Sequence, residues 1–254
     1  MLIAITRAVS PSINRCELTY QKRVEIDLAR AGEQHRAYEE CLRELGAQVI
    51  SLPAEPDLPD SMFVEDPVVV LDEVAIINRM GAASRRPEAE SMARALAQFR
   101  PLRRMEAPAA LEGGDVLRVG KRIFVGVSPR TNMAGIGQLA EVAKPLGYTV
   151  DAIRLRGCLH LKSACTMLAE NAILARREWI DTIPFDGIEI VDVATQEPSA
   201  ANVLRIGDTV ITAECFPATR ALLGKRGYRT RALDVSELMK AESALTCSSV
   251  LFEA

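Results

Sequence analysis

One pattern limits what this chain can fold into more than any other: a unit of β-hairpin, helix and strand that returns along its length. Phe63 to Asn78 holds two apolar stretches, Val68-Val69-Val70-Leu71 and Val74-Ala75-Ile76-Ile77, separated by Asp72-Glu73, which reads as a hairpin. Helical apolar spacing follows from Arg86 to Phe99, then a short strand-like piece near Leu102 to Glu106. The order returns with Asp115 to Val119, a Gly120-Lys121 turn and Arg122 to Val127, followed by a helix from Thr131 to Leu146 and a strand from Val150 to Leu155. A further copy begins with Leu161 to Ala175, turning at Glu170-Asn171. Another is Asn202 to Ile206, Gly207-Asp208 and Thr209 to Thr212, with a helix at Ala218 to Lys225 and a strand at Tyr228 to Leu233. The remaining copy is split across the termini. Leu2 to Thr6, a helix at Gln34 to Leu45 and a strand at Gln48 to Leu52 open the chain, and Ser248 to Phe252 closes it. About five units of roughly fifty residues fall in the period range of ring and solenoid folds. With the last strand in the first module, the ring is expected to close and leave no sheet edge exposed. An open doubly wound sheet is the competing architecture, but its parallel strands need crossovers where this chain has tight hairpins.

The 254 residues, 48% apolar and 26% charged, suit one globular core, and no Ser/Gly/Pro-rich linker divides them, so a single domain over 1–254 is expected. A net charge of -3 gives no electrostatic reason to bind nucleic acid or an anionic membrane, whereas a small cation fits. Met1 to Arg7 lacks the features of a secretory signal, and no apolar run approaches the roughly 20 residues of a membrane span, so a cytoplasmic location is expected. Cys16, Cys41, Cys158, Cys165, Cys215 and Cys247 are scattered without a CxxC pair, which argues against a disulfide framework and a structural zinc site.

Gly135-Ile136-Gly137-Gln138-Leu139-Ala140 matches GxGxxA, but Thr131-Asn132 reads as a helix cap, which puts the glycines inside a helix rather than in the turn a dinucleotide site needs. Acidic residues gather where the repeated hairpins begin: Asp60, Glu65 and Asp66 in one unit, Glu112 and Asp115 around Gly113-Gly114 in the next. In a ring of repeats equivalent strand ends converge, so these carboxylates could line one pocket, or each could simply solvate its turn. Two adjacent acids in Phe63-Val64-Glu65-Asp66-Pro67 interrupt an apolar stretch, where burial demands a cationic partner. His35 lies on an amphipathic helix and reads as structural. His160, between Leu159 and Leu161 at a hairpin start, is open between a core histidine and a catalytic one. Cys247 stands at the start of the last strand, where a small buried hydrophobe and a nucleophile are both admissible.

Taken together, Phe63-Val64-Glu65-Asp66, Gly81 to Arg86, Leu111-Glu112-Gly113-Gly114-Asp115-Val116, Ser128-Pro129-Arg130-Thr131-Asn132, Leu159 to Ser163 and Leu245-Thr246-Cys247-Ser248-Ser249-Val250 resemble, in order, the motifs of the dimethylarginine dimethylaminohydrolase family of guanidine-modifying enzymes. The resemblance implies a five-module, pseudo-symmetric α/β propeller. It implies Cys247 as nucleophile, His160 as general acid and base, and Glu112 as the carboxylate that orients His160. It further implies Asp66 on the guanidinium, Asp60 and Glu65 on other polar groups of the substrate, Arg85 and Arg130 on its carboxylate, and Leu18 in a mobile lid. Glu242-Ser243 departs from the Asp-Gly pair more usual in the family, and serine reaches positive φ less cheaply than glycine.

The reaction so implied is hydrolysis of an N-methylated arginine, asymmetric dimethylarginine or monomethylarginine, to citrulline and an alkylamine through a thiouronium on Cys247. Carboxylates near the thiol keep it protonated until a bound guanidinium supplies opposing charge. The implied partner is a small guanidino amino acid, with a homodimer admissible, and neither cofactor nor metal is expected. An arginine deiminase or amidinotransferase would keep the same cysteine, histidine and acids but change the lid. A non-catalytic binding protein of this fold would not need Cys247, His160 and Glu112 together.

Overall fold

The computed structural model describes residues 1–254. The first module opens with β1 (Leu2–Arg7), α1 (Leu28–Glu44) and β2 (Gln48–Leu52). The second contains β3 (Val68–Val70), β4 (Ala75–Ile77), α2 (Glu88–Leu96) and β5 (Leu102–Arg104); the third β6 (Val116–Val119), β7 (Arg122–Val127), α3 (Met133–Ala143) and β8 (Thr149–Arg154). The fourth has a short α4 (Leu161–Ala164), then β9 (Cys165–Ala169), β10 (Ala172–Ala175) and β11 (Glu189–Asp192). The fifth is β12 (Leu204–Ile206), β13 (Thr209–Ala213), α5 (Pro217–Lys225) and β14 (Arg229–Leu233), after which α6 (Ser236–Met239) leads to β15 (Val250–Glu253).

Every module repeats one topology. An inner strand pairs antiparallel with a central strand, which pairs parallel with an outer one: β3-β4-β5, β6-β7-β8, β9-β10-β11, β12-β13-β14 and β15-β1-β2. The last strand therefore completes the first module, from Leu2 opposite Glu253 to Ile5 opposite Val250. The expectation that no sheet edge remains does not hold, because the modules form five separate three-stranded sheets rather than one closed sheet. The outer edges carry charge instead, as at Arg103 and Arg104 on β5 and Glu189 and Asp192 on β11, which discourages edge-to-edge pairing.

Local chemistry accounts for the element boundaries. Helix α1 starts well before Gln34 because the Asp27 carboxylate accepts hydrogen bonds from the amides of Ala29 and Arg30. Asn132 caps α3 by accepting from Gly135. The glycines of the GxGxxA match lie inside that helix, and a Cβ on Gly135 would stand 2.2 Å from the Ala110 carbonyl, so this glycine serves close packing. In the fourth module the crossover is not a helix but two 3-10 turns, Arg177–Trp179 and Ile183–Phe185. Pro184 and Gly187 interrupt helical spacing there, and Phe185 secures the segment by stacking on Phe124 at 4.3 Å between ring centroids.

The core lies between modules. Val69, Leu71 and Ile76 of the second pack with Ile123, Val125, Ile136 and Leu139 of the third, and Leu117 and Phe124 of the third with Ile173 and Ala175 of the fourth. A 470 Å³ cavity runs among the inner strands, bounded by Val68, Val116, Thr166, Leu204 and Val250. His35 is buried on α1 with Nε2 3.3 Å from Glu39, in keeping with a structural part. No helix is long and apolar enough to cross a membrane.

Candidate active site

Asp66 precedes β3, Glu112 and Gly114 precede β6, His160 precedes α4 and Cys247 precedes β15, so the converging module starts bring them together. The Glu112-Gly113-Gly114 segment passes directly over its neighbours. A Cβ on Gly113 would lie 2.1 Å from the Glu65 carbonyl, and one on Gly114 would lie 2.6 Å from His160 Nδ1 and 2.8 Å from Asp66 Oδ1. Only glycine permits that approach. In return the Gly113 amide donates to the Asp66 carbonyl at 2.9 Å and the Gly114 amide to Asp66 Oδ1 at 2.9 Å.

His160 is 6% exposed and lies between two carboxylates: Nε2 is 2.8 Å from Glu112 Oε2, and Nδ1 is 4.0 Å from Asp66 Oδ1. Burial lowers its pKa, but Asp66, Asp115 and the Glu112 hydrogen bond outweigh that and push it up to about 9. The ring is an imidazolium at neutral pH. Burial works in the opposite sense on the carboxylates, yet His160 with Arg85 holds Asp66 below the ordinary value, and the His160 hydrogen bond does the same for Glu112. Asp115 fixes the backbone after the histidine, since its Oδ1 accepts from the Leu161 amide at 2.9 Å and its Oδ2 from Ser128 Oγ at 2.6 Å.

Cys247 is half-buried. Burial and the charges of Glu65 and Asp66 push its thiol up to about 12, so the resting pair is thiol and imidazolium. A small cavity of about 20 Å³ lies among Asp60, Asp66, Arg85, Arg130, His160 and Cys247. Glu17 from the preceding loop and Glu242 with Ser243 also line it. Donor atoms of Asp66, Glu112 and His160 lie within 4.8 Å of one another, a spacing that also suits a metal ion.

One expected site residue is placed differently. Glu65 does not line this cavity. Its carboxylate accepts from Lys162 Nζ at 2.6 Å and from Thr246 Oγ1 at 2.8 Å and faces the axial cavity, because a buried acid takes the nearest cation and donor. Leu18, expected in a lid, follows Glu17 in the segment over the cavity and packs against the cluster containing Ile13, Met62 and Phe63, against which Cys247 also packs. Arg85 lies at the cavity but is heavily committed: Nη1 donates to Asp66 Oδ2 at 2.8 Å, Nε and Nη2 to Glu88 at 3.1 and 2.9 Å, and Nη2 to the Phe63 carbonyl at 3.3 Å. Arg130 is freer, with Nη1 3.5 Å from Glu112 and Nη2 3.2 Å from Thr19 Oγ1.

Sequence reading assigned nothing to Lys162, Glu88 or Asn202. Asn202 ties the histidine and cysteine modules together, donating to the Lys162 carbonyl and Thr246 Oγ1 and accepting from the Thr246 amide. Glu88 and Asn202 show in the sequence only as polar residues beside apolar stretches, whereas Lys162 falls within the Leu159 to Ser163 motif.

A family model described as N,N dimethylarginine dimethylhydrolase, eukaryotic, matches residues 5–211. The N(G),N(G)-dimethylarginine dimethylaminohydrolase of Pseudomonas aeruginosa is 36% identical over 228 residues, 89% of this chain and 90% of that protein. The protein of the same description from Streptomyces coelicolor is 37% identical over 248 residues, covering 97% and 95%. A solved structure of the Pseudomonas protein, a cysteine-to-serine variant complexed with citrulline, superposes with a TM-score of 0.94 at 34% identity, over 98% of each chain.

Proposed function

The chain belongs to the dimethylarginine dimethylaminohydrolase family, and from that premise we propose that it hydrolyses asymmetric dimethylarginine or monomethylarginine to citrulline and the corresponding alkylamine. The observation that carries the reading is a buried His160 between Asp66 and Glu112, lining one cavity with a thiol whose ionisation burial, Glu65 and Asp66 suppress. A guanidinium is resonance-stabilised and poorly electrophilic, so its attack calls for thiolate and for carboxylates that fix the cation. In the resting site the negative charge of Glu65 and Asp66 opposes a thiolate. A bound guanidinium reverses that field, so the substrate promotes ionisation of its own nucleophile.

The Cys247 thiol loses its proton to solvent, and Sγ as thiolate adds to the guanidinium carbon. The imidazolium of His160 gives its proton to the departing amine, leaving a thiouronium on the sulfur. The neutral ring next takes a proton from water, which adds to the same carbon, and collapse releases citrulline and the thiol. Arg130, polar and only partly engaged, suits the substrate carboxylate. Arg130→Ala should therefore raise KM at least about tenfold with a smaller change in kcat, as loss of a binding contact remote from the reacting carbon does. Arg85→Ala should behave differently. It strips the partner from buried Asp66 and Glu88 and should lower unfolding stability by about 3–5 kcal/mol, measured by denaturant titration.

A competition assay of kcat/KM among arginine, monomethylarginine and both dimethylarginines tests the reading. Symmetric dimethylarginine puts a methyl on both terminal nitrogens and should be poor, because one methyl meets a carboxylate that needs a donor. A preference for arginine with ammonia release would replace the proposed activity with deimination.

A further inference from the structure

The segment over the cavity is held at its start by Ser84 Oγ on the Glu17 carboxylate and Arg23 on the Cys16 carbonyl, and beyond that by ties of two kinds. The Glu17 amide donates to the Asp60 carboxylate at 3.2 and 3.1 Å, and Arg130 donates to Thr19 Oγ1 at 3.2 Å. Both use groups that the polar end of the proposed substrate would take. The third does not. The Glu242 carboxylate accepts hydrogen bonds from three consecutive backbone amides, Thr19 at 2.9 Å and then Tyr20 and Gln21. Successive amides converging on one anion form a nest that a single carboxylate can close.

Glu242 is also the one residue other than glycine with positive φ, at 55°. Glycine adopts that conformation at less cost, so the backbone alone does not call for glutamate. It lines both the reaction cavity and a neighbouring 250 Å³ cavity bounded by Tyr20, Trp179 and Phe216, which puts it at the seam where the loop meets the site.

We infer that Glu242 is a positioning residue: it anchors residues 16–21 over the cavity while the substrate occupies Asp60 and Arg130, acting through the loop backbone and not on the reacting atoms. This rests on the reading of the cavity as the site of a guanidino amino acid. When the substrate competes for Asp60 and Arg130, the ties to the Glu17 amide and Thr19 Oγ1 weaken together; Ser84 on the Glu17 carboxylate still holds the start of the segment, and Glu242 is the anchor that holds Thr19 to Gln21. Its carboxylate serves three amides at once, so Gln, with one acceptor oxygen, replaces it only in part.

The test compares Glu242→Gly, Glu242→Ala and Glu242→Gln with the wild type. Amide hydrogen exchange of a peptide spanning 16–23 is followed by mass spectrometry with and without citrulline, and kcat and KM are measured with asymmetric dimethylarginine. Exchange at Thr19, Tyr20 and Gln21 should accelerate about tenfold or more in Gly and Ala and less in Gln, while α1 keeps its protection. KM should rise in the same order with little change in kcat. Glycine is the decisive variant, because it suits φ 55° better than glutamate and so removes the side chain, with its carboxylate, without straining the turn. Wild-type loop protection and KM in Glu242→Gly would overturn the inference, since the residue would then serve the turn alone. The exchange measurement does not depend on turnover: a wild type inactive on methylarginines would overturn the proposed function, while the loop exchange of the variants would still decide the anchor.

Discussion

Cys247→Ser should lower turnover by on the order of 10⁴-fold or more, because a hydroxyl replaces the sulfur beside His160 and is far harder to ionise in a site that already opposes negative charge. Substrate should still bind, since Asp66, Arg130 and Glu112 are untouched. Isothermal titration of the variant with asymmetric dimethylarginine, beside a turnover assay, checks both halves. Retained activity would end the covalent route through this residue. The same electrostatics predict how the wild-type thiol reacts. Burial with Glu65 and Asp66 pushes its pKa up to about 12, so iodoacetamide should modify it slowly at pH 7 and faster with each step toward pH 10, as the thiolate fraction grows. A small guanidinium salt at fixed pH should speed the modification by supplying opposing charge, unless it shields the sulfur. Running the reaction at several reagent sizes separates the two effects.

The architecture could be read from the sequence because each inner hairpin is written locally. Val68 to Leu71 and Val74 to Ile77 carry β-branched residues around Asp72-Glu73, and Gly120 and Gly207 take the positive φ, 59° and 53°, that their tight turns require. What depends on meetings between modules was hidden. The sequence brings Glu65 and Asp66 together as neighbours, but only the packing of the fourth module against the second gives Lys162 to Glu65, while Arg85 and His160 fall to Asp66. One acid is thereby turned toward the axis and the other toward the reaction cavity. Both acids lie in the turn before β3, where no strand alternation fixes their directions, so a pattern of acids alone does not say which of two neighbours meets the substrate. The fourth crossover was equally hidden, as 3-10 turns leave no helical periodicity. At Glu242 the expectation was nearly right and off by one position: Ser243 was expected to meet the strain of replacing glycine, whereas the left-handed residue is Glu242 itself.

His160→Gly should cost about 10²–10⁴-fold in turnover from lost proton transfer alone, and should also change the stability of the protein in a pH-dependent way. Activity falls because no other group in contact with the cavity combines a proton to give near neutral pH with a position between Asp66 and Glu112. If expulsion of the amine survives better than the water step, the thiouronium should accumulate on Cys247, and intact-protein mass spectrometry after acid quench would reveal the added mass. Turnover within tenfold of wild type would remove His160 from the chemistry. The stability effect follows from the charge the ring carries. Its folded pKa is raised from 6.5 to about 9, so the stabilisation it contributes is fully present below pH 6.5 and lost as pH rises through 9. Removing the ring leaves Asp66 and Glu112 facing each other without a cation between them, a loss of about 3–5 kcal/mol for a broken buried ion pair. Denaturant unfolding at pH 6 and at pH 9.5 should therefore show a large deficit in the variant at the lower pH and a smaller one at the higher. Equal deficits at both would mean that folding does not raise the ring's pKa, leaving it largely neutral above pH 7. The amine would then leave without a proton already held at His160, and the acid in the first step would have to come from elsewhere.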